Sequence, residues 1–258
     1  MRKYTKGLPA LQAALLLTGL TFIYPVLMTW AGSLRFEGRF PTLGQYGELL
    51  ITDYTFLRYF WNSAGYSLLI TASCVVLSFP LGFVFAKVRF PGRDFLFFIY
   101  IMVMMLPFQS TLLPNYIQLR DFGLLDTPLA LILPLSFSPF AVFLFRQFIR
   151  SVPSELLDYT TLETSSAFRI LWYAVWPQVR AAAAALAVMV FAETWNMVEP
   201  AIIFTAKNPG IHPLSVRLAD LPASVSFSAA AVYMSVILVL FMMFKETLAS
   251  AMAHFKWD

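Results

Sequence analysis

Residues 153–177 read PSELLDYTTLETSSAFRILWYAVWP, the longest polar interruption between strongly apolar runs in the chain. The contrast matters because of what surrounds it. Of 258 residues, 59% are hydrophobic and only 12% are charged, and the mean hydropathy is +0.72. A soluble domain carries roughly 25% charged residues, so this chain cannot cover itself with polar surface. It reads as an integral membrane protein. A polar stretch outside the apolar runs is then the place to look for contact with a soluble partner.

A membrane helix needs about 20 mainly apolar residues. Six runs qualify: 8–31, 63–86, 95–119, 124–145, 181–205 and 227–251. Barrel strands would alternate in polarity with a period of two. These runs do not, so the expected fold is an all-α bundle of six spans forming one transmembrane domain over 1–258. The opening MRKYTKG has the charge of a secretory signal. A signal's apolar region is only about 7–15 residues long and ends at a small-residue cleavage site. Here the apolar run continues to Trp30 without such a site, so it reads as an uncleaved first span.

Orientation follows from the excess of Lys and Arg in cytoplasmic segments. With the N-terminus inside, twelve of the 18 basic residues fall inside (Arg2, Lys3, Lys6, Lys87, Arg89, Arg93, Arg146, Arg150, Arg169, Arg180, Lys245, Lys256). Six fall outside (Arg35, Arg39, Arg58, Arg120, Lys207, Arg217). Both termini are therefore expected in the cytoplasm. Scattering of the basic residues at the ends of apolar runs argues against a nucleic-acid surface. Tyr54–Trp61 is aromatic-rich, as interfacial segments are, and Asn62 or Ser63 is placed to cap the second span. Pro91-Gly92 marks a turn. Pro107, Gln109 and Pro114 sit in the third span, and proline there predicts a kink or unwinding near its outer end. Residues 121–126 read as a tight hairpin, and 206–226 as a second outside segment.

Within 153–177, Pro153 suits a first helical turn, and Glu155 and Asp158 place negative charge at a helix N-terminus. Leu156, Tyr159, Leu162 and Glu163 are spaced three to four apart and are expected to share a face. The hydroxyls of Thr164, Ser165 and Ser166 break this helix, Ala167–Trp176 lies against the bundle, and Pro177 ends it before span 5. The predicted result is a short amphipathic docking helix, a turn and an interfacial helix.

This segment resembles the EAA loop of the permease subunits of bacterial ABC importers, specifically the sugar-importer type. The family pattern is approximately P-x-E-L-x-E-A-A-x-I-D-G-A-S with a closing I-x-L-P. Pro153, Glu155 and Leu156 match it, and Asp158 stands at the second glutamate. Leu162 stands at the isoleucine, Glu163 at the aspartate, Ser166 at the serine and Pro177 at the closing proline. Tyr159-Thr160 replace two alanines, Trp176 replaces the leucine, and Thr164 replaces a glycine whose positive φ it reaches less cheaply. Trp61-Asn62-Ser63, Phe90-Pro91-Gly92-Arg93, Pro107-x-Gln109, Pro114-Asn-Tyr116, Gly123–Thr127 and Trp195-Asn196 resemble further family segments in order.

The resemblance implies a type I importer with six spans and a cytoplasmic coupling helix in a bacterial plasma membrane. A second permease, paralogous or identical, would complete the path for a sugar or sugar derivative. Two cytoplasmic ATP-binding subunits would bind ATP and Mg, and an extracytoplasmic solute-binding protein would deliver the solute. Pro153, Glu155, Leu156, Asp158, Tyr159, Leu162, Glu163 and Thr164 would meet the ATPase.

The chain itself has no G-x-x-x-x-G-K-[ST] loop and no catalytic constellation, so it is not expected to be an enzyme or to hold a cofactor. His212 and His254 lack metal-ligand spacing. One polar group within a span stands out: Glu193, with Trp195, Asn196 and Glu199 beyond it. An acidic residue in a span is costly and faces an interior or water. Glu193, Trp195 and Asn196, with Gln109 of span 3, are the candidate substrate path. A contact to a neighbouring subunit or a helix kink is the plainer alternative for Glu193. A non-sugar ABC permease and a self-sufficient carrier or channel remain the competing readings of the chain. A carrier would need coupling-ion sites at mid-membrane, where acidic residues here are sparse.

Overall fold

A computed structural model describes residues 8–52 and 54–253. Among them every regular element is helical, as the absence of alternating apolar runs requires. In chain order they are α1 (Leu8–Ser33), α2 (Gly44–Gly47), a π-helical turn (Glu48–Thr52), α3 (Tyr54–Lys87), α4 (Arg93–Met104) and α5 (Phe108–Asp121). Then come α6 (Leu129–Leu135), α7 (Pro139–Arg150), α8 (Ser154–Glu163), α9 (Ala167–Arg169) and a π-helical turn (Ile170–Val175). The chain continues through α10 (Trp176–Trp195), α11 (Glu199–Phe204), α12 (Leu214–Arg217) and α13 (Ser226–Ala253), with 3₁₀ turns at Pro209–Ile211 and Leu218–Asp220. Among the described residues five stretches are long and apolar enough to cross a membrane: Leu15–Ser33, Thr55–Lys87, Leu129–Arg150, Ala167–Trp195 and Ser226–Thr247. The pair α4 and α5 passes the same test together but is bent by 96°.

The chain divides into two compact units, Met1–Arg58 with Leu218–Val236, and Tyr59–Arg217 with Ile237–Asp258. In the first, buried Gln45 ties three segments together. Its side-chain NH₂ donates to the Gly32 and Arg35 carbonyls, and its carbonyl accepts from the Ser228 N–H at 3.2 Å. Gly32 lies so close to the Phe227 ring that a Cβ there would stand 2.8 Å from it.

The second unit holds the main core. Ile70, Cys74, Phe79, Phe145, Ile149, Val175, Val179 and Leu186 are buried together, drawn from α3, α7, α10 and the turn before it. Gly82 explains how α3 and α7 approach so closely. A Cβ on it would lie 2.5 Å from Phe145 Cβ and 3.1 Å from the Arg146 backbone N. Arg146, itself buried, donates to the Phe85 carbonyl at 3.1 Å. Its guanidinium also stacks 3.7 Å from the Phe97 ring centre.

Several expected boundaries shift for local reasons. The second span starts at Tyr54, so the aromatic segment 54–61 is its first two turns, and Asn62 and Ser63 lie inside the helix instead of capping it. Their side chains face outward partners: Asn62 donates to the carbonyls of Gly210 and His212, and Ser63 accepts from the Leu214 N–H. Tyr66 donates to the Ile211 carbonyl at 2.9 Å. The third span breaks at 105–107, where extended Pro107 (φ −63°, ψ 142°) begins α5, because the residue before a proline is driven out of the helical region. Pro114, by contrast, stays within α5.

Span 4 is also broken, between α6 and α7. There Ser138 accepts from the Ala141 N–H and Pro139 occupies the first turn, a start signal built from cap and proline together. Pro177 does not end the preceding segment. It stands in the first turn of α10, and the π-turn Ile170–Val175 joins it to α9. A π-turn shifts the hydrogen-bond register by one residue, which accommodates a proline that offers no N–H. Span 5 therefore begins near Ala167 and ends at Trp195, not at 205.

Replacing Gly82 by Ala should lower the thermal midpoint in detergent, by an overpacking cost of about 1–3 kcal/mol. Gly65→Ala in the same helix, where nothing lies within 4 Å, should leave the midpoint unchanged or raise it.

Candidate functional site

Helix α8 stands apart from the apolar bundle in composition. Extended Pro153 (ψ 136°) precedes it, and Glu155 occupies its first turn. The helix divides into two faces. Leu156 and Leu157 are half-buried against the main core, and each such burial contributes roughly 1 kcal/mol. Thr160 is on that inner side, its hydroxyl donating to the Leu156 carbonyl at 2.8 Å. The outer face carries exposed Glu155 and Asp158, with Tyr159 72% and Leu162 85% exposed. Leu156 thus does not share a face with Tyr159 and Leu162. The doublet Leu156-Leu157, the one adjacent apolar pair in this helix, turns inward because together the two leucines bury more apolar surface than either isolated residue could. Carboxylates on the same face exclude lipid as the medium around Tyr159 and Leu162.

The turn after α8 settles the glycine replacement. Thr164 adopts an extended conformation (φ −151°, ψ 138°) and its N–H reaches the Thr160 carbonyl. Its hydroxyl accepts from the Ser166 N–H at 3.2 Å. The hydroxyl therefore supplies a turn contact that needs no positive φ. Beyond it, Phe168, Trp172 and Trp176 stack nearly parallel, at 6.4 and 5.5 Å between ring centres. Trp176 meets Phe79 of α3 edge-on at 5.3 Å. Helix α8 packs against the π-turn Ile170–Val175, which carries Trp172, the middle ring of this row.

A second brace was not visible in the sequence. Lys87, the last residue of α3, donates to the Val152 carbonyl at 2.6 Å and to the Arg150 carbonyl at 3.4 Å. Its charge meets the carbonyl end of α7, the favourable end for a cation. Val152 is buried one residue before Pro153. The segment leading into α8 is therefore fixed to the end of a span.

The polar groups of spans 3 and 5 meet at a different place. Gln109, Glu193, Thr194, Asn196 and Glu199 line an open cavity of about 340 Å³ at the break between α10 and α11, with Phe108, Leu135 and Pro200. Gln109 lies 3.4 Å from a Glu199 carboxylate oxygen. Trp195 does not line it. The ring is fully buried, stacked on Phe191 and edge-on to Phe60. Its side chain follows Thr194 into the core, while Glu193 and Asn196 project from the opposite side of the helix. The break itself has a sequence signal, Asn196 followed by Pro200, that a hydropathy window averages away.

At the same end of the unit, Asp126 adopts a left-handed conformation (φ 62°). Its carboxylate accepts from the Lys207 N–H at 2.7 Å, and its carbonyl accepts from the Asn208 amide. With the Asn62, Ser63 and Tyr66 contacts, this pins residues 205–214. His212 belongs to that lattice, buried with Nε2 3.1 Å from the Thr205 carbonyl. His254 lies outside the described residues. Among the described residues no cluster of His, Cys, Asp or Glu is arranged to hold a metal.

Broken apolar spans around a polar break, with a charged helix held outside them, define a multi-pass membrane permease scaffold. Residues 78–254 match the family of binding-protein-dependent transport system inner membrane components, and the chain belongs to that family. It is 35% identical over 139 residues to the sn-glycerol-3-phosphate transport system permease protein UgpE of Brucella abortus, covering 54% of this chain and 49% of that one. It is 26% identical over 221 residues to the arabinooligosaccharides transport system permease protein AraQ of Bacillus subtilis, covering 80% and 79%. The chain thus spans about half the length of the glycerol-phosphate permease it matches. The fold is also similar to a chain in the crystal structure of a bacterial ABC transporter involved in the import of the acidic polysaccharide alginate. There the TM-score is 0.83 at 19% identity, over 95% of this chain and 98% of that one.

Lys87→Met should release the junction before α8. The lost charge-assisted contacts are worth about 1.5–3 kcal/mol, so amide exchange at Val152 and Ser154 should quicken by at least about tenfold while the centre of α3 stays protected.

Proposed function

We propose that this chain is a permease subunit of an ATP-driven importer for a sugar or sugar derivative. It works with a second permease, two cytoplasmic ATP-binding subunits and an extracytoplasmic solute-binding protein. The observation that carries the reading is the outer face of α8, where Tyr159 and Leu162 stand exposed among carboxylates outside the spans. An apolar pair in a charged rim is what a protein groove recognises. Membership of the binding-protein-dependent family supports the rest of the assembly. The names of the relatives support a carbohydrate or sugar-derivative solute.

In this reading the five long spans and the bent pair α4–α5 make six crossings of one permease domain, with both termini in the cytoplasm. Helix α8 then faces the cytoplasm. Glu155, Asp158 and Glu163 meet basic groups of the ATPase, and Tyr159 and Leu162 fill its groove. Pro153 and Thr164 set the ends of the helix, and Leu156 anchors it to the bundle. ATP and Mg are held by the partner subunits. Closure of the ATPases moves α8, and Lys87 with the aromatic row passes that movement to α3 and α10. The work is a population shift between conformations that the ATPases bias through one contact. Gln109, Glu193 and Asn196 face the solute, and buried Trp195 holds the end of α10 that presents Glu193 and Asn196.

Purified with its operon partners, the wild-type chain should bring down a soluble ATPase. Glu155→Lys combined with Tyr159→Ala should reduce that recovery by at least about tenfold, as loss of a central aromatic anchor does. Membrane levels of the chain should not change. Full recovery with the double variant contradicts the docking role.

A further inference from the structure

We propose that the cavity at the α10–α11 break refuses negatively charged solutes, so that the solute carried is an uncharged or amino-bearing sugar. This rests on the permease reading and adds the solute class to it.

The inference comes from the balance of donors and acceptors. Two carboxylates, Glu193 and Glu199, line the cavity, and no Lys, Arg or His does. Each of its neutral polar side chains directs one donor back to the protein. Asn196 donates from its side-chain NH₂ to the Ala192 carbonyl at 2.7 Å. Gln109 donates to Glu199. The Thr194 hydroxyl turns back to the Val190 carbonyl at 2.8 Å. The lining therefore offers two anionic acceptors and, among the described residues, no cationic side chain. A carboxylate accepts and cannot donate, so this surface suits sugar hydroxyls or an ammonium group. A phosphate group, or the carboxylate of a uronate, brings only acceptors and a negative charge, and the two carboxylates of the wall repel it. Phe108 supplies an apolar wall against which the carbon face of a sugar ring can lie.

The test uses the whole importer in membranes and the fact that the chain has one cysteine, the buried Cys74. Asn196→Cys is placed in a Cys74→Ser background, with Val198→Cys as a second reporter should the first fail to assemble. Each is labelled with a trimethylammonium-ethyl and with a sulfonatoethyl methanethiosulfonate. The cation-to-anion rate ratio should fall by at least about tenfold when Glu193→Gln and Glu199→Gln are added, as removal of two nearby charges requires. An unchanged ratio overturns the charge inference and leaves the permease reading standing. If neither reagent reaches either cysteine, the break is closed to solute and the inference fails, while the permease reading still stands or falls on the recovery of the ATPase. A second readout is mass spectrometry of the solute that copurifies with the neighbouring binding protein. A neutral or amino sugar supports the inference, and a phosphorylated or uronic solute overturns it.

Discussion

The structure depends on the rule that, in hydrocarbon, each backbone N–H and C=O must be satisfied within the protein. A chain with 12% charged residues meets that rule with helices, and wherever a helix stops, another group has to take up the free backbone. The breaks in this chain obey it. At the α6–α7 break Ser138 takes the cap, at the π-turn before α10 the register shifts, and at the end of α10 the Asn196 side chain folds back. The carbonyl end of α7 is met by Lys87. Polar side chains thus collect at breaks, and the two candidate sites are both built at breaks.

That placement links the two sites mechanically. α3 runs unbroken through 34 residues, roughly 50 Å at 1.5 Å per residue. Near its start Asn62, Ser63 and Tyr66 grip the segment 210–214. At its end Lys87 grips the segment that leads into α8. One helix, with Pro80 inside it, therefore touches both the loop beside the cavity-bearing span and the base of α8.

Much of this was legible in the sequence, and the remainder was hidden for definite reasons. Hydropathy found each long span among the described residues, though it set the fifth ten to fourteen residues late, because an apolar run near 20 residues matches the thickness of the hydrocarbon core and little else requires that length. Helix α8 was readable from Pro153, Glu155 and Asp158, and the bend in the third span from Pro107. What escaped were contacts between distant residues. Leu156 faces inward because of its neighbour Leu157 and the bundle beneath, which spacing alone cannot tell from an outward leucine. Asn62 and Ser63 look like caps in sequence, yet they serve residues some 150 positions away. Lys87 looks like a topology charge and is also a helix clamp. Trp195 looks like a sugar-stacking ring and is buried, while Glu199 beyond it completes the cavity.

The central claim is that α8 is a braced projection on the cytoplasmic face whose exposed apolar residues receive the ATPase. Site-directed labelling of Leu162→Cys in a Cys74→Ser chain tests it most directly. An impermeant maleimide should react with it in inside-out vesicles stripped of the ATPase and not in right-side-out vesicles. Adding back the ATPase should abolish the reaction. Labelling from the outer face, or labelling unaffected by the ATPase, would contradict the account.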